Sequence, residues 1–166
     1  SNFIDANDDL DLSHKAVYLW NQTTDSYEPV IKAGTAFFAN LGQAFMVKVK
    51  TAVTAVDFTM AMQTHQPTAT FKSGELAVPE IKLMVELGEK KSTTSLLFED
   101  GMNRGLDVGY DVGVFKSGFD LYTRLVEDNG VDFDLQYLPN SAIDNFEVAL
   151  GLDSRNDGLV TFSAEA

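Results

Sequence analysis

Three aspartates and an asparagine crowd one glycine-rich stretch of the chain: Asp100, Asn103, Asp107 and Asp111, set among Gly101, Gly105, Gly109 and Gly113. Carboxylate and amide oxygens are hard donors. Calcium takes six to eight oxygen ligands from such side chains and from carbonyls that a glycine-bent loop can turn inward. The spacing is not that of a helix–loop–helix calcium loop, because no glutamate closes it. A calcium ion held by Asp100, Asn103, Asp107 and Asp111 is the one cofactor these residues suggest. The competing use is structural: glycines shape the loop, and aspartates close Asx turns onto nearby N–H groups. That use takes precedence.

A second acidic run opens the chain, with Asp5, Asn7, Asp8, Asp9 and Asp11. It can also hold a cation, but such runs are more often solvated loops beside a capped helical turn, and Asp5 is placed to cap a short helix over Ala6–His14. Aromatic side chains offer a different chemistry, because a flat ring stacks on the apolar face of a sugar. Tyr18, Trp20, Tyr27, Tyr110 and Tyr122 are the candidates, and Tyr18, Trp20 and Tyr110 are the ligand-binding residues they nominate. Trp20 and Tyr18 also suit a core, where large aromatics dominate burial, and the core is the expectation for Trp20. Tyr110, in a glycine loop, is expected to be the more exposed ring.

No catalytic residue emerges. His14 and His65 have no ligand spacing around them and read as surface or edge residues. No nucleophile elbow is present, and no phosphate-binding glycine loop leads into a helix. The paired carboxylates of a glycosidase remain possible in any acidic chain, yet Glu86, Glu89 and Glu99 fall on strand or turn positions that read as a wet face.

Acidic side chains outnumber basic ones 25 to 12, which gives a net charge of −13. Such a field repels phosphate backbones and anionic headgroups, so nucleic acid and membrane are poor partners. The absence of cysteine excludes disulfides and thiolate metal sites. No segment approaches the roughly 20 apolar residues of a membrane span. Ser1 is not a natural start, so the chain reads as a piece cut from a larger protein. Its 166 residues suit one domain (1–166) that buries about 70% of its unfolded surface.

Period-two alternation dominates the elements that must position these residues. Phe45, Val47 and Val49 alternate with Lys48 and Lys50, and Val56, Phe58 and Met60 repeat the pattern. Ile81–Leu87, Val131–Tyr137, Phe146–Leu150 and Leu159–Phe162 do the same. Further strands are expected at Ala16–Asn21, Tyr27–Val30, Thr68–Lys72, Thr93–Glu99 and Leu121–Glu127. Strands with one buried and one wet face come from antiparallel sheets. Asn129-Gly130 and Asp157-Gly158 are turn dipeptides, and residues 21–25 separate a hairpin pair. The fold expected is all-β, an antiparallel, jelly-roll-like β-sandwich of about ten strands.

Several segments in order also resemble a known family. Ile4-Asp5-Ala6-Asn7-Asp8 precedes Val17-Tyr18-Leu19-Trp20-Asn21. These are followed by Gly42-Gln43-Ala44-Phe45-Met46-Val47-Lys48, then Phe58-Thr59-Met60-Ala61-Met62-Gln63. The densest segment is Gly105-Leu106-Asp107-Val108-Gly109-Tyr110-Asp111, with Leu121-Tyr122, Leu138-Pro139 and Leu150-Gly151 after it. Together they resemble the β-sandwich module that precedes the sorting domain in proteins exported by the Bacteroidetes type IX secretion system, among them gliding adhesins and polysaccharide-degrading enzymes. Ala44 stands where that family has glycine. The chain stops at Phe162-Ser163-Ala164-Glu165, where the family continues into another strand, so an edge strand is expected to be absent or supplied by the parent protein.

The resemblance implies a secreted or cell-surface location and a modular role beside other domains of the parent. It implies no activity. Three functions follow as expectations: a non-catalytic interaction or spacer module, adhesive contacts included; a carbohydrate-binding module with a calcium-organised loop, whose partner is polysaccharide; and, last, a glycan-active enzyme.

Overall fold

The alternating stretches become strands wherever a neighbouring backbone is within reach. In the computed structural model, which describes residues 2–33, 37–40, 42–52, 55–63, 78–127, 130–143 and 146–166, the described strands are β1 (Val17–Asn21), β2 (Ser26–Val30), β3 (Glu80–Leu87), β4 (Lys90–Phe98), β5 (Val112–Gly113), β6 (Phe119–Thr123), β7 (Phe133–Leu138), β8 (Leu150–Ser154) and β9 (Thr161–Glu165). The protein is all-β. Among the described residues helix is confined to α1 (Asn2–Ala6) and three short 3-10 turns. Among the described residues no helix is long and apolar enough to cross a membrane.

β1 and β2 form a two-stranded antiparallel hairpin, with Trp20 directly opposite Tyr27. The other strands form one sheet in the order β8-β6-β7-β4-β3-β9, and β5 pairs with β7 beside it. β3 and β4 are a hairpin across Gly88–Glu89, and β9 lies antiparallel on the other side of β3. One pair departs from the antiparallel expectation: β4 and β7 run parallel, from Ser95↔Leu135 to Phe98↔Leu138. Alternation reports which side of a strand is buried and carries no information on direction. Parallel neighbours need a long crossover, and residues 99–132 supply one.

Both faces of β4 are covered. Leu97 joins Tyr18, Ala16, Ile31, Val112 and Tyr137 in a cluster beneath the β1–β2 hairpin. On the opposite face, Leu96 and Phe98 pack with Leu138, and Phe146 and Val148 lean against them. β6 then curls over the sheet: the Leu121 N–H donates to Ser92 Oγ on β4 at 2.8 Å, and Phe119 and Leu121 close on Val85 of β3. A fourth cluster, Ile4, Leu10 and Val17, gathers Phe45, Val47 and Val49 at the N-terminal end.

Several local expectations are corrected. The helix expected over Ala6–His14 is instead α1 at Asn2–Ala6 plus a 3-10 turn at Leu12–His14, and Asp11, not Asp5, caps the latter by accepting the Ser13 N–H at 3.0 Å. Residues 44–50 keep their alternation of half-buried and exposed side chains but make only isolated bridges, Met46 to Tyr18 and Val49 to Leu10. Residues 55–59 form no ladder and lead, through an extended Thr59, into a 3-10 turn at Met60–Met62. Residues 146–149 likewise form no ladder, and pairing begins at Leu150. The strand expected at Thr68–Lys72, and the residues His65 and Asn129, lie outside the described residues.

Candidate functional site

The glycine loop between β4 and β5 is organised by its own side chains. Asp107 accepts two bonds from Asn103, one from its backbone N–H and one from its Nδ2, each at 2.7 Å and each on a different carboxylate oxygen. The Asp107 carbonyl takes the N–H groups of Tyr110 and Asp111 at 3.0 and 2.9 Å. Gly109 sits at φ +87, a left-handed turn open to glycine, which lets the chain double back. Asp111 is fully buried; its Oδ2 accepts the Asp107 N–H at 2.6 Å and its Oδ1 the Tyr137 N–H at 2.6 Å. β5 is too short to pair along all of β7, and the Asp111 carboxylate serves the Tyr137 N–H beyond the end of their ladder.

Electrostatics follow from that burial. Loss of water raises the Asp111 carboxyl to about 7, against the opposite pull of the two N–H donors from Asp107 and Tyr137, while the nearby Asp107 charge adds to the rise. Of the four expected metal ligands, the structure thus links Asn103, Asp107 and Asp111 in one chain of hydrogen bonds. Asp100 is bound elsewhere, accepting Asn140 Nδ2 at 3.0 Å. Among the described residues no three His, Cys, Asp or Glu side chains converge as a metal-ligand set.

The opening acidic run is divided among separate partners. Asp5 pairs with Lys32 at 2.6 Å, and Asp8 with Lys15 at 3.3 Å. Asn7 is buried and clamps residue 57 by both its oxygen and its nitrogen.

The three nominated rings meet different fates. Tyr18 is fully buried, with its hydroxyl donating to the Gly113 carbonyl at 2.7 Å, so it presents no face to a ligand. Tyr110, expected to be the exposed ring, is half-buried and packs edge-on against Tyr137 at 5.3 Å. Trp20, expected in the core, is 45% exposed. It stands one residue before the end of β1, next to the turn, and its ring meets Tyr27 edge-on at 4.9 Å. Tyr122 has a ring face occupied by Lys116 Nζ, 4.0 Å from the centroid.

Two groupings were not legible in the sequence. His14, read as a surface or edge residue, is buried against Gly113, where a Cβ would overlap its ring. Its Nδ1 lies 3.1 Å from Asp11 Oδ1 and 3.3 Å from Lys48 Nζ. Burial holds the imidazole below its ordinary value, opposed by the Asp11 hydrogen bond and assisted by the Lys48 charge. Lys116 bridges Asp132 and Asp153 at 2.7 and 2.6 Å, tying β8 to the segment before β7. The sequence did carry one hint of this corner: an isolated glycine in a strand, Gly151, marks a close approach, and the Tyr122 ring fills the place of its missing Cβ. Compared with known proteins, the chain matches no family model, no curated protein and no solved structure.

Proposed function

We propose that this chain is a non-catalytic interaction and spacing module of an exported protein, acting at the cell surface or after release, beside other domains of its parent. The observation that carries this reading is the fate of the acidic loop. Asp107 and Asp111 spend both carboxylate oxygens on bonds to Asn103, Asp107 and Tyr137 backbone or amide groups. Acids used in this way stiffen a loop; a general acid or base must instead face the proton it transfers. The export half of the reading is supported by the ordered motifs that resemble the type IX module.

The exposure of Trp20 favours a second reading within the same class, a module that also contacts polysaccharide. Incubation of the purified chain with a panel of polysaccharides tests the non-catalytic reading. The expected outcome is no release of reducing ends and no unsaturated product. Turnover that disappears on replacing one carboxylate overturns it.

A further inference from the structure

We infer that the outer corner of the β1–β2 hairpin is a stacking site for one ring of a neutral saccharide, with Trp20 as the platform. The inference rests on the reading of the chain as an interaction module and assigns the contact to a residue and a ligand class.

A ring that binds must be both open and held. Trp20 is 45% exposed, and behind it runs a series of ring contacts. Trp20 meets Tyr27 at 4.9 Å, Tyr27 meets Phe115 at 5.8 Å, and Phe115 meets the fully buried Tyr18 at 4.2 Å. Two of these contacts are edge-on and the middle one is tilted, so the indole stands at the wet end of a row of touching rings that leads to the core. Little ordering entropy remains to be lost when a ligand settles on it.

The platform offered is a single indole. That is far below the roughly 800 Å² per partner of a stable protein interface, and Gln22, Thr23 and Asp25 in the adjoining turn are exposed and polar. A pyranose fits both facts: its axial C–H face is apolar and matches one ring, and its rim of hydroxyls needs amide and carboxylate partners. Gln22 and Asp25 lie in the turn just beyond Trp20 and Tyr27. Charge narrows the class further. The net charge of −13, with Asp25 and Glu28 on the hairpin itself, repels uronate and sulfated chains and leaves neutral sugars.

Trp20 is the chain's one tryptophan, so its fluorescence reads the site directly in the unmodified protein. Cellohexaose, xylohexaose, mannohexaose and maltohexaose are titrated to about 10 mM, a range that captures millimolar affinities. At least one is expected to change the emission saturably and to shield the indole from acrylamide, while polygalacturonate at low salt does neither. Trp20→Ala is expected to weaken that binding, followed by calorimetry, about tenfold or more. Trp20→Phe keeps most of it, and cooperative melting of both variants, within a few degrees of the parent, shows that folding is intact. The inference is overturned if no neutral oligosaccharide acts, if Trp20→Ala binds as well as the parent, if polygalacturonate binds equally, or if shielding appears on raising protein concentration alone. None of these results touches the non-catalytic reading, which fails only if reducing ends are released in the same tubes.

Discussion

The carboxylate of Asp111 accepts the backbone N–H of Tyr137 at 2.6 Å, joining the end of the glycine loop to the buried C-terminal end of β7. The same carboxylate accepts the Asp107 N–H with its other oxygen, also at 2.6 Å. A carboxyl group, ionised or protonated, has lone pairs on both oxygens, whereas an amide nitrogen has none to offer. Asp111→Asn therefore sets a donor against a donor in either orientation and leaves a buried N–H unmet. Urea unfolding is expected to show a loss of about 1–3 kcal/mol. A variant as stable as the parent would show that the loop is held by something else.

Asp111 also makes stability depend on pH with a predictable sign. Its carboxyl is raised by burial to about 7 from the ordinary 3.8. Between those values the folded chain keeps a proton that the unfolded chain has released. The contribution is therefore full below the unfolded value and is lost as pH rises through the folded one. Asp134, raised by burial to about 8, acts with the same sign. His14 acts oppositely: with its folded value lowered, its contribution is full above 6.5 and is lost as pH falls through that lowered value. Comparing the parent with Asp111→Asn cancels the other two groups. The parent's advantage is expected to be larger at pH 5 than at pH 8, by on the order of 1–3 kcal/mol. An advantage that grows with pH reverses the assignment.

The strands were legible because burial and alternation go together: Ile81, Leu83, Val85 and Leu87 alternate in the sequence and pack on one face of β3. Phe45, Val47 and Val49 show where that logic stops. Their side chains do turn inward, yet the backbone forms only two isolated bridges, one at Met46 and one at Val49 flanked by the Lys48 carbonyl and Lys50 N–H, since alternation does not reveal whether a neighbouring strand is available. The parallel pairing of β4 with β7 is equally silent in the sequence, because both faces of β4 carry apolar residues whichever way the neighbour runs. Trp20 and His14 were misplaced for one shared reason. Residue type sets a preference for burial, but position decides it: a tryptophan at the tip of a hairpin stays wet, and a histidine opposite a glycine is enclosed.

The glycine loop yields a prediction about calcium. Both oxygens of Asp107 and both of Asp111 already accept short hydrogen bonds, and Asp100 is turned to Asn140. A cation gathering these groups would have to break that set, at a cost in unpaired buried N–H groups. Adding millimolar calcium to chelator-treated protein is expected to leave the melting temperature and the titration heat unchanged. A rise in melting temperature that saturates with calcium would reassign the loop as a metal site.

His14 and Gly113 are predicted to be energetically coupled. The Gly113 backbone lies against the imidazole so closely that Gly113→Ala must displace the ring, and with it the contacts to Asp11 and Lys48. Overpacking of this kind costs about 1–3 kcal/mol. His14→Ala removes the obstacle, so the double variant should be more stable than the sum of the single losses allows, by at least about 0.5 kcal/mol. Strict additivity in a double-mutant cycle would mean that the two residues do not meet in solution.

Tyr18 and Trp20 stand two residues apart on one strand and should differ sharply on substitution. Tyr18 is fully buried in the cluster with Leu97 and Tyr137, and its hydroxyl supplies a hydrogen bond to the Gly113 carbonyl. Tyr18→Phe keeps the ring and leaves that carbonyl unpaired, a loss of about 1–3 kcal/mol. Tyr18→Ala empties the space beside Phe115 as well and should cost about 3–5 kcal/mol. Trp20→Ala gives up one edge contact with Tyr27 on an open corner, worth about 1 kcal/mol or less. Chemical unfolding of the three variants ranks them directly. If Trp20→Ala proves as damaging as Tyr18→Ala, the indole is a core residue and the outer corner of the hairpin is not free to bind.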